Sequence, residues 1–170
     1  TWYFVSRENH AYAVQMTPDE LKVARRWSLV SDAERAADWR ISGVHHTAVH
    51  AETGRLFVLM HQGGPETFQE PGTEVWVYDV QTGEKRQTLE LKELSLSIGV
   101  SPGAQPRLYS VDYVMPMPFL ATAWIFATEG KDGVVRRLQQ QVNLYDADSG
   151  EHLRTVDGLP YGYLNMVLPW

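Results

Sequence analysis

An all-β fold of repeated four-stranded antiparallel sheets, with one short helix, is predicted by three observations. First, short runs rich in Val, Ile, Leu, Tyr, Trp and Thr recur along nearly the whole chain, separated by Gly, Asp, Asn and Ser turns. Second, one stretch repeats. Glu74-Val-Trp-Val-Tyr-Asp-Val-Gln-Thr-Gly-Glu-Lys-Arg-Gln-Thr-Leu89 aligns without a gap with Gln141-Val-Asn-Leu-Tyr-Asp-Ala-Asp-Ser-Gly-Glu-His-Leu-Arg-Thr-Val156, 67 residues on, and six of the sixteen positions are identical. Third, the helix signal is confined to a single segment after Ser31.

The elements follow in order. Trp2–Ser6 and His10–Met16 flank the polar turn Arg7-Glu8-Asn9 and read as a hairpin. Ser31-Asp32-Ala33-Glu34 is a capping-box pattern, and good helix formers continue from Ala33 to Trp39, which predicts about two helical turns. Strand runs then resume at Val44–His50, Arg55–His61, Glu74–Val80, Lys85–Leu91, Leu94–Val100, Arg107–Val111, Gln141–Ala147, His152–Val156 and Tyr163–Leu168. Within Glu74–Val80, Val75, Val77 and Asp79 fall on one face, and Trp76 and Tyr78 on the other.

The repeat has a physical meaning. Asp79 and Asp146 can accept hydrogen bonds from the turn backbone just downstream. Gly83 and Gly150 can supply the left-handed residue of a short hairpin loop. Four strands accompany each copy of the motif, which is the make-up of a β-propeller blade; the usual blade period is about 40–50 residues. The longer offset here fits an insertion near residues 113–138 of the second blade. The predicted organisation is therefore a partial blade over residues 1–27, a full blade over 43–91, and a full blade over 94–157 carrying the insertion. A strand at 161–168 opens or closes another. Two to three blades do not close a ring of four to eight, so the expectation is that these 170 residues belong to a longer chain.

Composition narrows the function classes. The net charge is −6 and no basic stripe is present, which argues against nucleic acid as partner. There is no cysteine, which removes disulfides, thiolate metal sites and a cysteine nucleophile. The longest apolar run, Val114–Thr128, holds two prolines and falls short of the ~20 residues of a spanning helix, so no membrane span is expected. The opening Thr1–Ser6 reads as a strand and not as a signal peptide.

The chemistry-bearing side chains mostly have bland readings. His46 and His50 share a face of the predicted strand but stand about 13 Å apart, and His45 points the other way, so no common metal site is expected there. Asp79 and Asp146 are turn formers in separate blades rather than a carboxylate pair. Trp27, Trp39, Trp76 and Trp124 read as packing or interface anchors. The apolar stretch from Val114 to Ala127 reads either as extra strand packing or as a patch for a partner. The glycines Gly63, Gly64 and Gly103 match no phosphate-loop spacing.

A resemblance becomes specific beyond the first hairpin. Trp27-Ser-Leu-Val-Ser-Asp-Ala-Glu-Arg-Ala-Ala-Asp-Trp-Arg40, His46-Thr-Ala-Val-His50, Gly54-Arg-Leu-Phe-Val-Leu-Met-His-Gln-Gly-Gly64 and Pro71-Gly-Thr-Glu-Val-Trp-Val-Tyr-Asp79 resemble the heavy chain of tryptophan-tryptophylquinone amine dehydrogenases, in its C-terminal portion. The similarity covers most of residues 1–112 and 139–158. The Trp-Ser-Leu and Leu-Met-His-Gln-Gly-Gly wording leans towards the aromatic-amine branch. The chain departs from the family at Ile41-Ser-Gly-Val-His45 and has no recognised counterpart over Tyr113–Leu138; the end, Tyr161–Trp170, also matches poorly.

The resemblance implies a seven-bladed propeller in a periplasmic hetero-tetramer of two heavy and two light chains. It implies that the tryptophan tryptophylquinone cofactor sits on the light chain, with none in this chain. Primary amines would be oxidised to aldehyde and ammonia, and electrons passed to a blue copper protein. No catalytic, cofactor-binding or metal residue is assigned in this chain. Trp39, Arg40, His61, Phe119 and Trp124 are the candidate subunit-interface residues. The alternative is a non-catalytic propeller that binds protein; a hydrolytic propeller with an axial metal ranks last, because the strands show no converging polar series.

Overall fold

The computed structural model describes residues 1–43, 45–113 and 139–160. Eleven strands and one short helix make up these residues, and they form two antiparallel sheets. The first sheet has three strands in sequential order: β1 (Trp2–Ser6), β2 (His10–Met16) and β3 (Leu21–Ser28). The β1–β2 hairpin forms as expected, and Asn9 takes the positive φ of its turn. The third strand is not announced by the sequence pattern. Its residues, Leu-Lys-Val-Ala-Arg-Arg-Trp-Ser, show weak alternation, and its place is set by pairing along β2.

Helix α1 (Asp32–Ala36) is capped as predicted. The Ser31 side chain accepts from the Glu34 amide, and the Glu34 carboxylate accepts from the Ser31 amide. The helix is shorter than the sequence suggests, however. Ala37 closes it, Asp38 turns left-handed at φ 61°, and Trp39 already belongs to strand β4 (Trp39–Ile41). Tertiary pairing overrides helix propensity here: the Asp38 carbonyl accepts from the Gly63 amide, and β4 pairs with the end of β6 (Arg55–Gln62).

The second sheet runs β11-β10-β9-β8-β7-β6-β4, with β5 (Thr47–His50) also on β6. Its remaining members are β7 (Gly72–Asp79), β8 (Lys85–Val100), β9 (Arg107–Tyr113), β10 (Gln139–Asp146) and β11 (His152–Pro160). The expected run Val44–His50 is thus a strand only from Thr47; Val44 lies outside the described residues. The expected separate strands Lys85–Leu91 and Leu94–Val100 are one continuous strand. Its first part pairs with β7 (Tyr78↔Lys85 to Glu74↔Glu90), and its second part pairs with β9 (Ser97↔Val111 to Val100↔Leu108). The predicted strand Tyr163–Leu168 and the apolar stretch within 114–138 lie outside the described residues.

Two cores hold the fold, one on each side of the meander β5–β8. On one side Trp76, Tyr78, Val80, Leu56, Val58 and Met60 pack with Ala11, Leu29, Val30 and Ile41 against the three-stranded sheet. On the other, Phe57, Leu59, Val75 and Val77 pack with Leu89, Ile98, Val100, Leu108, Tyr145 and Ala147. The alternation expected in β7 is therefore what divides the cores. Strand β6, buried from Arg55 to His61, is apolar over Leu56–Met60 because one face meets the three-stranded sheet and the other meets later strands of its own sheet. Sheets stacked face to face in this way form a partial β-propeller, not a two-sheet sandwich with one wet face on each sheet.

The inner strands of successive meanders also touch. The His45 amide donates to the Leu96 carbonyl at 3.3 Å, and the His45 carbonyl accepts from the Ile98 amide at 3.0 Å. No helix among the described residues is long and apolar enough to cross a membrane.

Candidate functional site

Three of the five candidate interface residues come together through strand register. β4 pairs antiparallel with β6, which sets Trp39 opposite Gln62 and Arg40 opposite His61. Phe119 and Trp124 lie outside the described residues. Trp39 is half-buried and meets Trp76, with ring centroids 5.0 Å apart and planes tilted by 44°. Trp76 is itself buried, and its indole N–H donates to the Glu74 carboxylate at 2.6 Å.

Lys85 completes the group. Its ammonium stands 3.7 Å from the Trp76 ring centroid and pairs with Glu34 from helix α1. A cation over an indole face is attracted by the ring quadrupole, and more so where water is partly excluded. Nothing in the sequence spacing brings Lys85, Glu34 and Glu74 into this group. Glu34 is legible only as a capping residue and Lys85 only as the start of a return strand.

His61 is 4% exposed, and its Nε2 lies 3.1 Å from the Thr67 hydroxyl. Burial holds its imidazole below the ordinary range, with the Glu70 charge working against that and Arg40 adding to it. Arg40 bonds to Asp38, at 3.4 Å to both the carboxylate and the backbone carbonyl. The buried imidazole is therefore a packing and hydrogen-bonding group; Arg40, directly opposite it, shares its face of the sheet, and Trp39 falls on the other face, against Trp76.

The other histidines do not gather. His50 is buried, with Nδ1 2.7 Å from the Thr53 hydroxyl, whereas His46 precedes β5 and His45 is exposed. The shared strand face expected for His46 and His50 is not formed, because the strand begins at Thr47. Burial lowers the His46 pKa. Among the described residues no group of three His, Cys, Asp or Glu side chains is placed to hold a metal ion.

The two repeat aspartates sit at hairpin corners in separate meanders. Asp79 Oδ1 accepts from the amides of Gln81 (2.6 Å) and Thr82 (2.8 Å), and Asp146 Oδ1 from those of Asp148 and Ser149 (both 3.0 Å). Each has an arginine partner, Arg86 for Asp79 and Arg107 for Asp146. These bonds to the charged form hold both carboxyls below the ordinary carboxylate range, the backbone amides of Thr82 and Ser149 contributing most.

Stacked antiparallel blades, with Asp79 and Asp146 at the corners of their hairpins, define a propeller segment. The sequence comparisons say which kind. The chain belongs to the methylamine dehydrogenase heavy chain family, whose family model matches residues 3–132. It is 32% identical over 133 residues to the methylamine dehydrogenase heavy chain of Paracoccus versutus, covering 78% of this chain and 26% of that protein. It is 29% identical over 100 residues to the heavy chain of Methylorubrum extorquens, covering 59% of this chain and 24% of that protein. The chain spans about a quarter of the length of the curated relatives it matches. The match runs through residue 132, so most of the segment 113–138, which had no recognised counterpart in the sequence, falls within the family's pattern.

Proposed function

We propose that this chain is a segment, from the C-terminal portion, of the heavy subunit of a periplasmic quinone-dependent amine dehydrogenase. The observation that carries the reading is the family match over residues 3–132, on a chain whose strands stack as propeller blades. In this reading residues 1–27 are the later strands of one blade, 43–91 and 94–157 are two full blades of a seven-bladed ring, and 161–168 belongs to another. The subunit seats a light chain bearing tryptophan tryptophylquinone in a hetero-tetramer. Trp39, Arg40 and His61, with Phe119 and Trp124, contribute to that seat.

The quinone, when bound on the partner chain, oxidises a primary amine to aldehyde and ammonia; the hard chemistry is the cofactor's. Among the described residues, Trp39 and Trp76 do not fit that role. The closest pair described here, Trp39 and Trp76, is packed against Lys85 and tied to Glu74, with Trp76 2% exposed, which leaves an amine no approach to that ring. The heavy subunit's task is to hold the light chain, leave the amine an entrance, and offer a docking surface to a blue copper acceptor.

Aromatic amines are proposed as favoured over methylamine, on the wording of Trp27-Ser-Leu29 and Leu59-Met-His-Gln-Gly-Gly64; the named relatives are methylamine dehydrogenase heavy chains. The test is co-expression of the full-length heavy chain with its light chain, followed by dye reduction with methylamine and with 2-phenylethylamine. Reduction with both, faster with the aromatic amine, is expected. Faster turnover of methylamine would remove the aromatic preference alone. No reduction with either amine, and no quinone in the purified complex, would leave a propeller that binds protein without chemistry.

A further inference from the structure

The repeated Tyr-Asp-x-x-Thr/Ser-Gly motif accounts for two hairpin turns, but turn geometry does not explain its tyrosine, nor what its outward carbonyls meet. Both copies take side-chain donors from strands that precede them in the chain. At the first corner, Arg25 of β3 donates to the carbonyls of Val80, Gln81 and Thr82. At the second, Gln87 of β8 donates to the carbonyl of Asp148 at 2.8 Å, and Arg55 to that of Ala147 at 3.3 Å. By the 67-residue offset of the repeat, Ala147 and Asp148 are the equivalents of Val80 and Gln81.

The tyrosines repeat the pattern. The buried Tyr78 hydroxyl donates to the carbonyl of Leu29, just after β3, and the buried Tyr145 hydroxyl accepts from the amide of Lys92, just after the first part of β8. The glycines do so as well. Gly83 (φ +75°) would place a Cβ 2.5 Å from Arg25 and 3.0 Å from Trp27; Gly150 (φ +77°) would place one 2.9 Å from Leu89. Arg25 and Trp27 stand two apart on one receiving strand, and Gln87 and Leu89 two apart on the next.

We propose that this motif is a blade-to-blade latch. The tyrosine anchors each blade to the segment before it, the corner's carbonyls take donors from the preceding blade's strands, and the glycine is required for close approach as well as for its φ. An aspartate-stabilised turn standing alone needs none of these partners. The same offset places Arg154 and Val156 of β11 at the receiving positions for the corner of any blade packed on that strand. Both are exposed here.

The test uses the full-length heavy chain assembled with its light chain. Arg25→Met removes the donors and leaves the Asp79 turn bonds intact. Amide exchange at residues 81–83 should then speed up by about tenfold or more, since hydrogen bonds from a charged donor are lost. The corner at 148–150 serves as the internal reference and should not change. Unchanged exchange at 81–83 would overturn the latch on its own.

A double-mutant cycle tests the glycine independently. Gly150→Asn keeps a residue that tolerates positive φ but adds the Cβ. Gly54→Asn is the control, because Gly54 has φ +61° and its nearest neighbour to a Cβ is a Val80 methyl at 3.5 Å. Gly150→Asn should lower the thermal midpoint more than Gly54→Asn does, and Leu89→Ala should recover part of that loss. Equal losses at the two glycines, with no recovery, would reduce Gly150 to a turn residue and refute the close-approach role.

Discussion

Phe57 offers the sharpest test of the stacked-sheet arrangement, because its strand is buried on both faces. It is 0% exposed, it is the third residue of β6, and it belongs to the core cluster of Leu59, Val77, Leu89 and Leu108, between earlier and later strands of the eight-stranded sheet. The Arg55 guanidinium sits 5.5 Å from the ring centroid. Truncation to Ala removes a whole ring from a site walled by backbone on both sides, where collapse is limited. The expected loss is about 3–5 kcal/mol, the transfer contribution and the residual cavity together. Phe57→Leu keeps most of the volume and should cost about 1–1.5 kcal/mol. Val49→Ala on β5, where the side chain is 37% exposed, should stay within about 0.5 kcal/mol. Urea unfolding of the full-length subunit, with the slope checked for constancy across variants, measures all three. A loss below about 1 kcal/mol for Phe57→Ala would mean that one face of β6 is open, and the stacking of the second meander on the first would be wrong.

Further outcomes follow from the same geometry. Asp79 and Asp146 have folded-state pKa values below the ordinary range, so the unfolded chain binds protons first on acidification. Their contribution is complete above about pH 4 and is lost as pH falls through the folded values; Asp79→Asn should flatten that acid limb in urea midpoints measured between pH 5 and 3. His46 and His61 are likewise held low, by burial first. Their contribution is complete above about pH 6.5 and declines below it, and His61→Gln should reduce the drop between pH 7 and 5. Ser31→Ala removes the cap of α1 and should cost about 1 kcal/mol by the same unfolding assay. Trp39→Ala should weaken light-chain association by about 2 kcal/mol or more if this edge is the seat, read by titration calorimetry; unchanged affinity would move the interface elsewhere.

The repeat was the legible part of the fold, and the reason is local. A corner that needs Asp to hold two amides and Gly at positive φ restricts sequence at fixed spacing, so two copies remain recognisable 67 residues apart. The capping box is legible on the same grounds. Strand β3 was not, because its residues Leu21–Val23 are exposed and carry no burial pattern, and pairing with β2 defines it. Strand β4 was hidden behind helix formers. Ala36 and Ala37 favour continuation, but the bond from the Gly63 amide to the Asp38 carbonyl and the packing of Trp39 on Trp76 form only when β6 is in place. The continuity of β8 was equally invisible, since Lys92 and Glu93 look like a break and the exchange of partners from β7 to β9 is a property of the sheet.

The candidate edge shows the same limit from the side of function. Trp39, Arg40 and His61 are candidate interface residues from the sequence, and nothing in their spacing brings position 40 opposite position 61; the antiparallel register of β4 on β6 does. Their surroundings differ. His61 is buried, which lowers its pKa, and Arg40, opposite it on the same face, bonds to Asp38. Trp39 packs on Trp76 and stays half-buried. A large ring fixed on one side by packing loses little freedom when its outer side is covered, which is the energetic condition for an interface anchor. Of the three, Trp39 is therefore the side chain whose removal separates a docking role from a purely structural one. Its loss should weaken partner binding beyond what the change in subunit stability accounts for, whereas His61→Gln should alter stability and leave binding to the light chain as it was.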